Sequence, residues 1–369
     1  MNTRNGSLDG LRGVAILMTL VCHYYLGLGD ETSRSSFMGR GVDLFFVLSG
    51  FLISGLIFKE FQQRGSIDVK RFWIRRGFKI YPPFYVFTIV TWISWRSLFG
   101  EGPGGTIYEI FFLQNYHHTL WPHTWSLAVE EHFYLFLPLL LVGLARVGKN
   151  KQNPFRLVPL LSMVISALCL YGRIYALRHG STWTDIAYPT HLRIDALFAG
   201  VTLGYFAHFD GESFAEARKW WVLFIGLLFA LTLPVLPGVP QLTFAYVGFS
   251  FIVAWTVNHP DLLWFRPLRW IGRYSYSIYL WHVVPMMLVA HVSPHWFRFP
   301  AYAISAILLG LGMAKLIEFP SLFFRDKFFP SAAHGLPEST DIEASRVTTT
   351  SCDRQGVPHA GETLPVVGA

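Results

Sequence analysis

The sequence predicts an all-α integral membrane protein: a polytopic bundle of roughly ten transmembrane helices with both termini in the cytoplasm. Three observations predict it. The chain is 52% hydrophobic and only 14% charged, with a mean hydropathy of +0.38, whereas a soluble domain is about 25% charged. Apolar runs of about 20 residues, the length of a membrane-crossing helix, recur along it. Lysine and arginine collect in alternate connections between those runs. The aromatic share of 17%, with 13 Trp, suits side chains anchored at bilayer interfaces. Because the net charge of +7 sits in connections rather than on one face, the cations read as topology signals, and nucleic acid is not expected as a partner.

The runs fall at 8–28, 42–60, 78–98, 124–146, 155–177, 190–208, 219–236, 241–258, 274–293 and 299–326, and 106–116 reads as a partly inserted helix. Arg12 interrupts the first run, and His23 stands where a cleavage site would be, so this is a retained span rather than a signal peptide. Lys59, Arg64, Lys70, Arg71, Arg75, Arg76 and Lys79 lie between the second and third runs, whereas 99–123 contains no Lys or Arg. Arg146, Lys149, Lys151 and Arg156 follow the fourth run, with Arg218, Lys219, Arg266, Arg269 and Arg273 in later even-numbered loops. Arg34 and Arg40 are the main exceptions. The positive-inside rule then sets both termini in the cytoplasm. After Phe329 the composition turns to Ser, Thr, Pro, Gly and Glu, so the chain divides into a membrane domain, 1–329, and a disordered cytoplasmic tail, 330–369. No appended soluble catalytic domain, internal repeat or Gly-rich nucleotide loop is expected. Cys22, Cys169 and Cys352 have neither metal-ligand spacing nor a disulfide framework, and the first two read as small core residues.

Candidate chemistry begins in the first span. Arg12 and His23 are separated by roughly three helical turns, so they share one stripe about 16 Å long. Such a stripe must face protein or a water-filled cavity. Away from water a neutral imidazole is favoured, which leaves His23 able to take a proton from a hydroxyl group. Arg12, one turn after Asp9, either pairs with it or offers positive charge to an anion. In the second span, GVDLFFVLSGFLISG, Ser49, Gly50 and Gly55 suit close helix packing, while Asp43 either orients a histidine or binds a sugar hydroxyl. The loop RFWIRRGFKIYPP gathers Arg71, Arg75, Arg76 and Lys79 before a helix expected to start at Tyr81 and Pro82. These cations serve topology and anionic lipid, or hold a phosphate. In WSLAVEEHFYLFLPLLL, Ser126, Glu130 and Tyr134 recur at helical spacing on one face, with Glu131 pointing elsewhere as an interfacial charge. His117, His118, His123 and His132 cluster in sequence without a zinc motif, and no metal is expected. Arg193, Asp195, Arg273 and His282 are polar residues in later spans that line a cavity or join helices.

Together these stretches resemble the membrane acyltransferase 3 family, whose members O-acylate glycans, lipids and some small molecules. Arg12 and His23 match its first-span pattern, RRGFKIYPP its arginine-rich cytoplasmic motif, and WSLAVEEHFYLFLPLLL its serine-leucine and glutamate motif. GRYSYSIYLWH and IEFP resemble its closing segments. The resemblance runs from about Leu8 to Phe329. One departure is Lys79, where the family's motif usually has a second arginine; the charge is kept and the bidentate geometry is lost. Some members also carry a C-terminal hydrolase-like domain, which this chain is expected to lack. The resemblance implies a multi-pass protein of the bacterial inner membrane that takes acyl-CoA, usually acetyl-CoA, from the cytoplasm. It implies a carbohydrate or glycolipid acceptor, with His23, Arg12 and Glu130 as catalytic residues. Arg75, Arg76, Lys79 and Tyr81 would bind the donor, and Asp43, Ser126 and Tyr134 would orient the substrates. His23 either deprotonates the acceptor hydroxyl directly or first carries the acyl group. Tyr108, Tyr116, Trp121, Trp125 and Trp183 suit stacking on sugars and interfacial anchoring equally. The rival classes are a proton-coupled secondary transporter, which would also bury His, Arg and Glu, and a non-catalytic scaffold.

Overall fold

A computed structural model describes residues 6–27, 39–99, 104–117, 121–148, 150, 152–231, 240–260, 262, 266–289 and 295–330. Among these residues there are helices and no strands. The main helices are α1 (Gly6–Gly27), α2 (Gly41–Arg64), α3 (Val69–Phe99), α4 (Trp125–Val147), α5 (Val158–Arg178), α6 (Ile194–Phe209), α7 (Trp220–Leu231) and α8 (Pro240–Val257). Then follow α9 (Arg266–Arg273), α10 (Ser275–Trp281), α11 (Val283–Val289) and α12 (His295–Met313), with a π turn (Ala314–Glu318) leading into α13 (Phe319–Phe328). The expected tail beyond Pro330 lies outside the described residues, as do Cys352, His118, Arg34, Lys149 and Lys151.

Among the described residues five helices are long and apolar enough to cross a membrane: Gly6–Gly27, Gly41–Arg64, Pro122–Val147, Val158–Arg178 and Trp296–Phe328. Their outer faces carry Leu135, Phe136 and Leu139 on α4 and Leu160, Met163 and Leu168 on α5, all exposed. That is the surface of a multi-pass membrane protein. The ten expected spans are not matched one for one. Helices α6, α7 and α8 are apolar but shorter, and α3 opens with Lys70, Arg71, Arg75, Arg76 and Lys79 on its first turns. The expected span 274–293 is interrupted at His282, between α10 and α11. Pro285 has no N–H to offer the carbonyl of Trp281 four residues back, which removes a helical bond at this point. The expected inserted helix at 106–116 is a short turn, Thr106–Ile110.

The basic loop is also helical, a correction to the sequence reading. Pro82 and Pro83 lie inside α3 rather than at its start. Pro82 cannot donate to the carbonyl of Phe78, and the hydroxyl of Ser321 on α13 donates to that carbonyl instead. A foreign donor thus satisfies the acceptor that would otherwise end the helix.

Close helix approach depends on glycine, most tightly at two crossings. A Cβ on Gly272 of α9 would lie 1.8 Å from the carbonyl oxygen of Asp9 on α1, and one on Gly50 of α2 would lie 1.9 Å from that of Leu197 on α6. Two buried ion pairs add polar ties: Arg193, at the start of α6, with Asp43 of α2 at 2.6 Å, and Arg173 of α5 with Asp195 of α6 at 2.7 Å. Gly50→Ala is expected to destabilise the folded protein by about 1–3 kcal/mol, the cost of overpacking. Gly312→Ala, with nothing near its new methyl group, is expected to leave thermal melting in detergent unchanged. Asp43→Ala is expected to cost about 3–5 kcal/mol by leaving Arg193 buried and unpaired. Asp43→Leu combined with Arg193→Met should recover most of that loss in the same melting assay.

Candidate functional site

Helices α1, α2, α3, α4 and α10 enclose a cavity of ≈ 280 Å³. Its apolar wall is largely α2, including Phe45, Phe46, Leu48, Leu52 and Ile53, together with Ile80 and Leu127. Its polar lining holds three cations, Arg12, Arg76 and Lys79, and two carboxylates, Glu130 and Glu131, with Ser49, Ser126, Ser275, Tyr276 and Tyr279. Helical spacing explains the convergence. Ser126 and Glu130 are one turn apart on α4, and Arg76 and Lys79 one turn apart on α3, so each pair faces one way.

The hydroxyl of Tyr134 ties three helices together beside this cavity. It donates to Glu130 Oε2 at 2.7 Å and accepts from Arg76 Nη2 at 2.6 Å, and it also meets the hydroxyl of Ser49. The Arg76 guanidinium carbon lies 4.2 Å from the Tyr134 ring centroid, so the ring and its hydroxyl both face the charge. Lys79 donates to Glu318 Oε1 at 3.0 Å, while Glu318 Oε2 accepts from Ser277 at 2.7 Å. Arg12 is close enough to Glu130 and Lys79 for its charge to act on both. Three polar atoms of the lining are buried without a hydrogen-bond partner: Arg76 Nε, Glu131 Oε1 and Ser275 Oγ.

Above the polar lining, Tyr279 joins the cavity to a cluster of three histidines. Its hydroxyl contacts that of Ser126 at 2.5 Å and donates to the carbonyl of His123 at 2.5 Å. His23 Nδ1 lies 2.6 Å from His282 Nε2. The His123 ring stands edge-on to both, with centroids 6.3 Å from His23 and 5.1 Å from His282. His23 itself does not line the cavity; Tyr279 is the residue between.

The structure thus brings together Arg12, Arg76, Lys79, Ser126 and Glu130 around one space, with Tyr134 bonded behind them. It separates others. Arg75 donates to Asp326 at 3.1 Å and to the carbonyl of Phe329, away from the cavity. Tyr81 packs with Tyr85 and Phe112 and bonds Glu131. Asp43 is sealed against Arg193, where it reaches neither a histidine nor a hydroxyl ligand. His23 bonds His282, while Glu130 bonds Tyr134, so the carboxylate does not orient the histidine. Glu131 is 5% exposed and lines the cavity rather than sitting at an interface. Ser49 is a polar partner as well as a small packing residue. Of the aromatic residues expected outside, Trp121 and Trp125 are buried, whereas Tyr116 and Trp183 are exposed.

His282, Tyr279, Ser275 and Glu318 gained their importance only in three dimensions. A signal was present: Ser275, Tyr279 and His282 recur at i, i+4 and i+7, one stripe of a helix. The other expected histidine grouping dissolves, since His117 stacks on Tyr108 and His132 bonds Thr190. Among the described residues no group of three or more His, Cys, Asp or Glu is placed to hold a metal ion.

Comparison with known proteins bears on this geometry. A family model described as an acyltransferase domain, acyltransferase 3, matches residues 5–317. "Peptidoglycan O-acetyltransferase OatA" of Listeria monocytogenes is 29% identical over 75% of this chain and 48% of its own. "Putative peptidoglycan O-acetyltransferase YrhL" of Bacillus subtilis is 28% identical over 76% of this chain and 48% of its own. The chain therefore spans about half the length of the curated relatives it matches. No solved structure matches it. With the family model covering nearly all of the helical bundle and both halves of the site, the chain belongs to the acyltransferase 3 family.

Proposed function

We propose that the protein moves an acyl group, acetyl in the first instance, from cytoplasmic acyl-CoA to a hydroxyl of an extracytoplasmic or lipid-linked glycan. The observation that carries this reading is the shared wall: Tyr279 borders both the cationic cavity and the histidine cluster. A donor with a phosphorylated end and a thioester end needs those two environments side by side. Both termini and the basic start of α3 lie on the cytoplasmic side in this reading, in keeping with the distribution of Lys and Arg. Peptidoglycan, named for two of the relatives, is the first acceptor to test.

The cavity is at the lower end of small-molecule pockets, roughly 300–1,000 Å³, and suits the acyl-pantetheine arm better than the whole donor. Arg76, Lys79 and Arg12 meet the phosphates at its cationic end, with Arg76 supplying the planar fork that binds phosphate oxygens in pairs. Arg75, already held by Asp326, tethers α13. The acceptor hydroxyl oxygen attacks the thioester carbon while its proton passes to His23. The new C–O bond forms as the C–S bond breaks, and the proton leaves with coenzyme A as its thiol. Ser275, whose hydroxyl lines the cavity without a partner, is the donor placed to polarise the carbonyl, since the Tyr279 proton goes to the His123 carbonyl and that of Ser126 to Tyr279. Glu130, through Tyr134, holds Arg76 in position and offsets its charge.

Inverted membrane vesicles supplied with acetyl-CoA labelled in the acetyl group test this directly. Alkali-labile label is expected in a glycan or lipid with the native protein and is expected to vanish in His23→Ala. Equal label in both would remove His23 from the chemistry, and no acyl transfer by the native protein would return the transporter to consideration. Arg76→Ala is expected to raise the KM for acetyl-CoA about 10- to 150-fold. That corresponds to the roughly 1.5–3 kcal/mol of a hydrogen bond to a charged group.

A further inference from the structure

The histidine cluster contains its own account of which nitrogen does the work. His282 is fully buried, and its Nδ1 lies 2.6 Å from the carbonyl oxygen of Tyr279. A carbonyl oxygen only accepts, so Nδ1 of His282 carries the hydrogen. A neutral imidazole has a single N–H, which leaves Nε2 of His282 as an acceptor. The atom 2.6 Å from that Nε2 is Nδ1 of His23, which must then be the donor. By elimination the lone pair of His23 is on Nε2.

The ring geometry agrees with this direction. The His23 and His282 rings are 10° from parallel, with centroids 4.8 Å apart and bonded nitrogens 2.6 Å apart. Rings so arranged lie edge to edge in nearly one plane, the geometry of an in-plane N–H···N bond. His282 cannot easily turn away. The backbone around it is the break between α10 and α11, where its N–H donates to Ile278 and its carbonyl accepts from Met286. The His123 ring abuts it edge-on at 84°.

We infer that His282 is a positioning residue that fixes the tautomer and orientation of His23, leaving His23 Nε2 as the proton-accepting atom. This inference rests on the proposed role of His23 as the base. His282 serves His23 as a carbonyl or carboxylate serves a metal-bound or catalytic histidine, by occupying the nitrogen that must not react. His282 takes no proton during turnover. Its two bonds, one accepted and one donated, persist while the acceptor's proton moves onto His23 Nε2 and then to the coenzyme A sulfur.

A glutamine can reproduce both bonds, because its side-chain amide has an accepting oxygen and a donating nitrogen on a long stem. Asparagine has the same groups but is too short to span Tyr279 O and His23 Nδ1 together. His282→Leu offers neither bond. In the acetyl-CoA vesicle assay, His282→Leu and His282→Asn are each expected to lower kcat by roughly 100-fold or more, the usual contribution of a well-placed base. His282→Gln is expected to stay within about tenfold of the native rate on the same grounds. The KM for acetyl-CoA should be unchanged in all three.

The inference is overturned if folded His282→Gln is as inactive as His282→Leu, which would make His282 a proton carrier. Full activity in His282→Leu or His282→Asn would overturn it as well. Thermal melting separates misfolding from lost chemistry; should His282→Leu not fold, the Asn and Gln pair still decides. A failure of the underlying reading looks different, because His23→Ala would then retain activity whatever happens at His282.

Discussion

A charge inside an apolar helical bundle must find a partner, and much of this structure follows from that requirement. The Tyr134 hydroxyl illustrates it. In one place it accepts from Arg76, donates to Glu130 and meets Ser49, so α2, α3 and α4 are held in register by a single oxygen. In a low-dielectric interior each of these groups would be costly alone, and the network lets charges stay near the middle of the fold.

The buried polar groups divide into two kinds. Asp43 with Arg193, and Arg173 with Asp195, are closed pairs between elements, with the Arg173 guanidinium also donating to the Leu192 carbonyl and Thr243. They tie α2, α5 and α6. Around the cavity, by contrast, charges are shared across helices, Arg76 with Glu130 through Tyr134 and Lys79 with Glu318. What marks the cavity as a place for a ligand is that Arg12, Arg76, Lys79, Glu130 and Glu131 border an open volume, whereas neither closed pair does. Lys79 sits between the two kinds, lining the cavity while its ammonium is bonded to Glu318. A lysine, with its compact charge and three donors, can hold Glu318 and still face an incoming anion.

The errors in reading the sequence have common causes. The basic stretch 71–83 looks like a loop because prolines and cations follow one another, yet Ser321, more than two hundred residues away, satisfies the carbonyl that Pro82 leaves bare. Helix propensity is a local property, and this rescue is not. Arg75 and Arg76 are adjacent and chemically identical, so nothing local says which faces the cavity. About 100° of helix rotation decides it: one guanidinium meets Tyr134, and the other meets Asp326. Rotation from Glu130 likewise points Glu131 toward an interface, but it faces Tyr81 and the cavity wall.

The sequence by itself determined the helical, membrane-crossing character, the family and the polar stripe on the first helix. Apolar length, charge depletion and motif order are properties of contiguous residues, and burial in lipid acts on those properties directly. Tertiary structure alone decided which polar residues share a space. His23, His123 and His282 meet although some hundred residues and more separate each from the next, and Tyr279 comes to stand between them and the cations. Such meetings depend on how closely helices cross, as at Gly50 and Gly272, and on where α10 ends beside Pro285. They arise from packing between segments, and no local pattern encodes them.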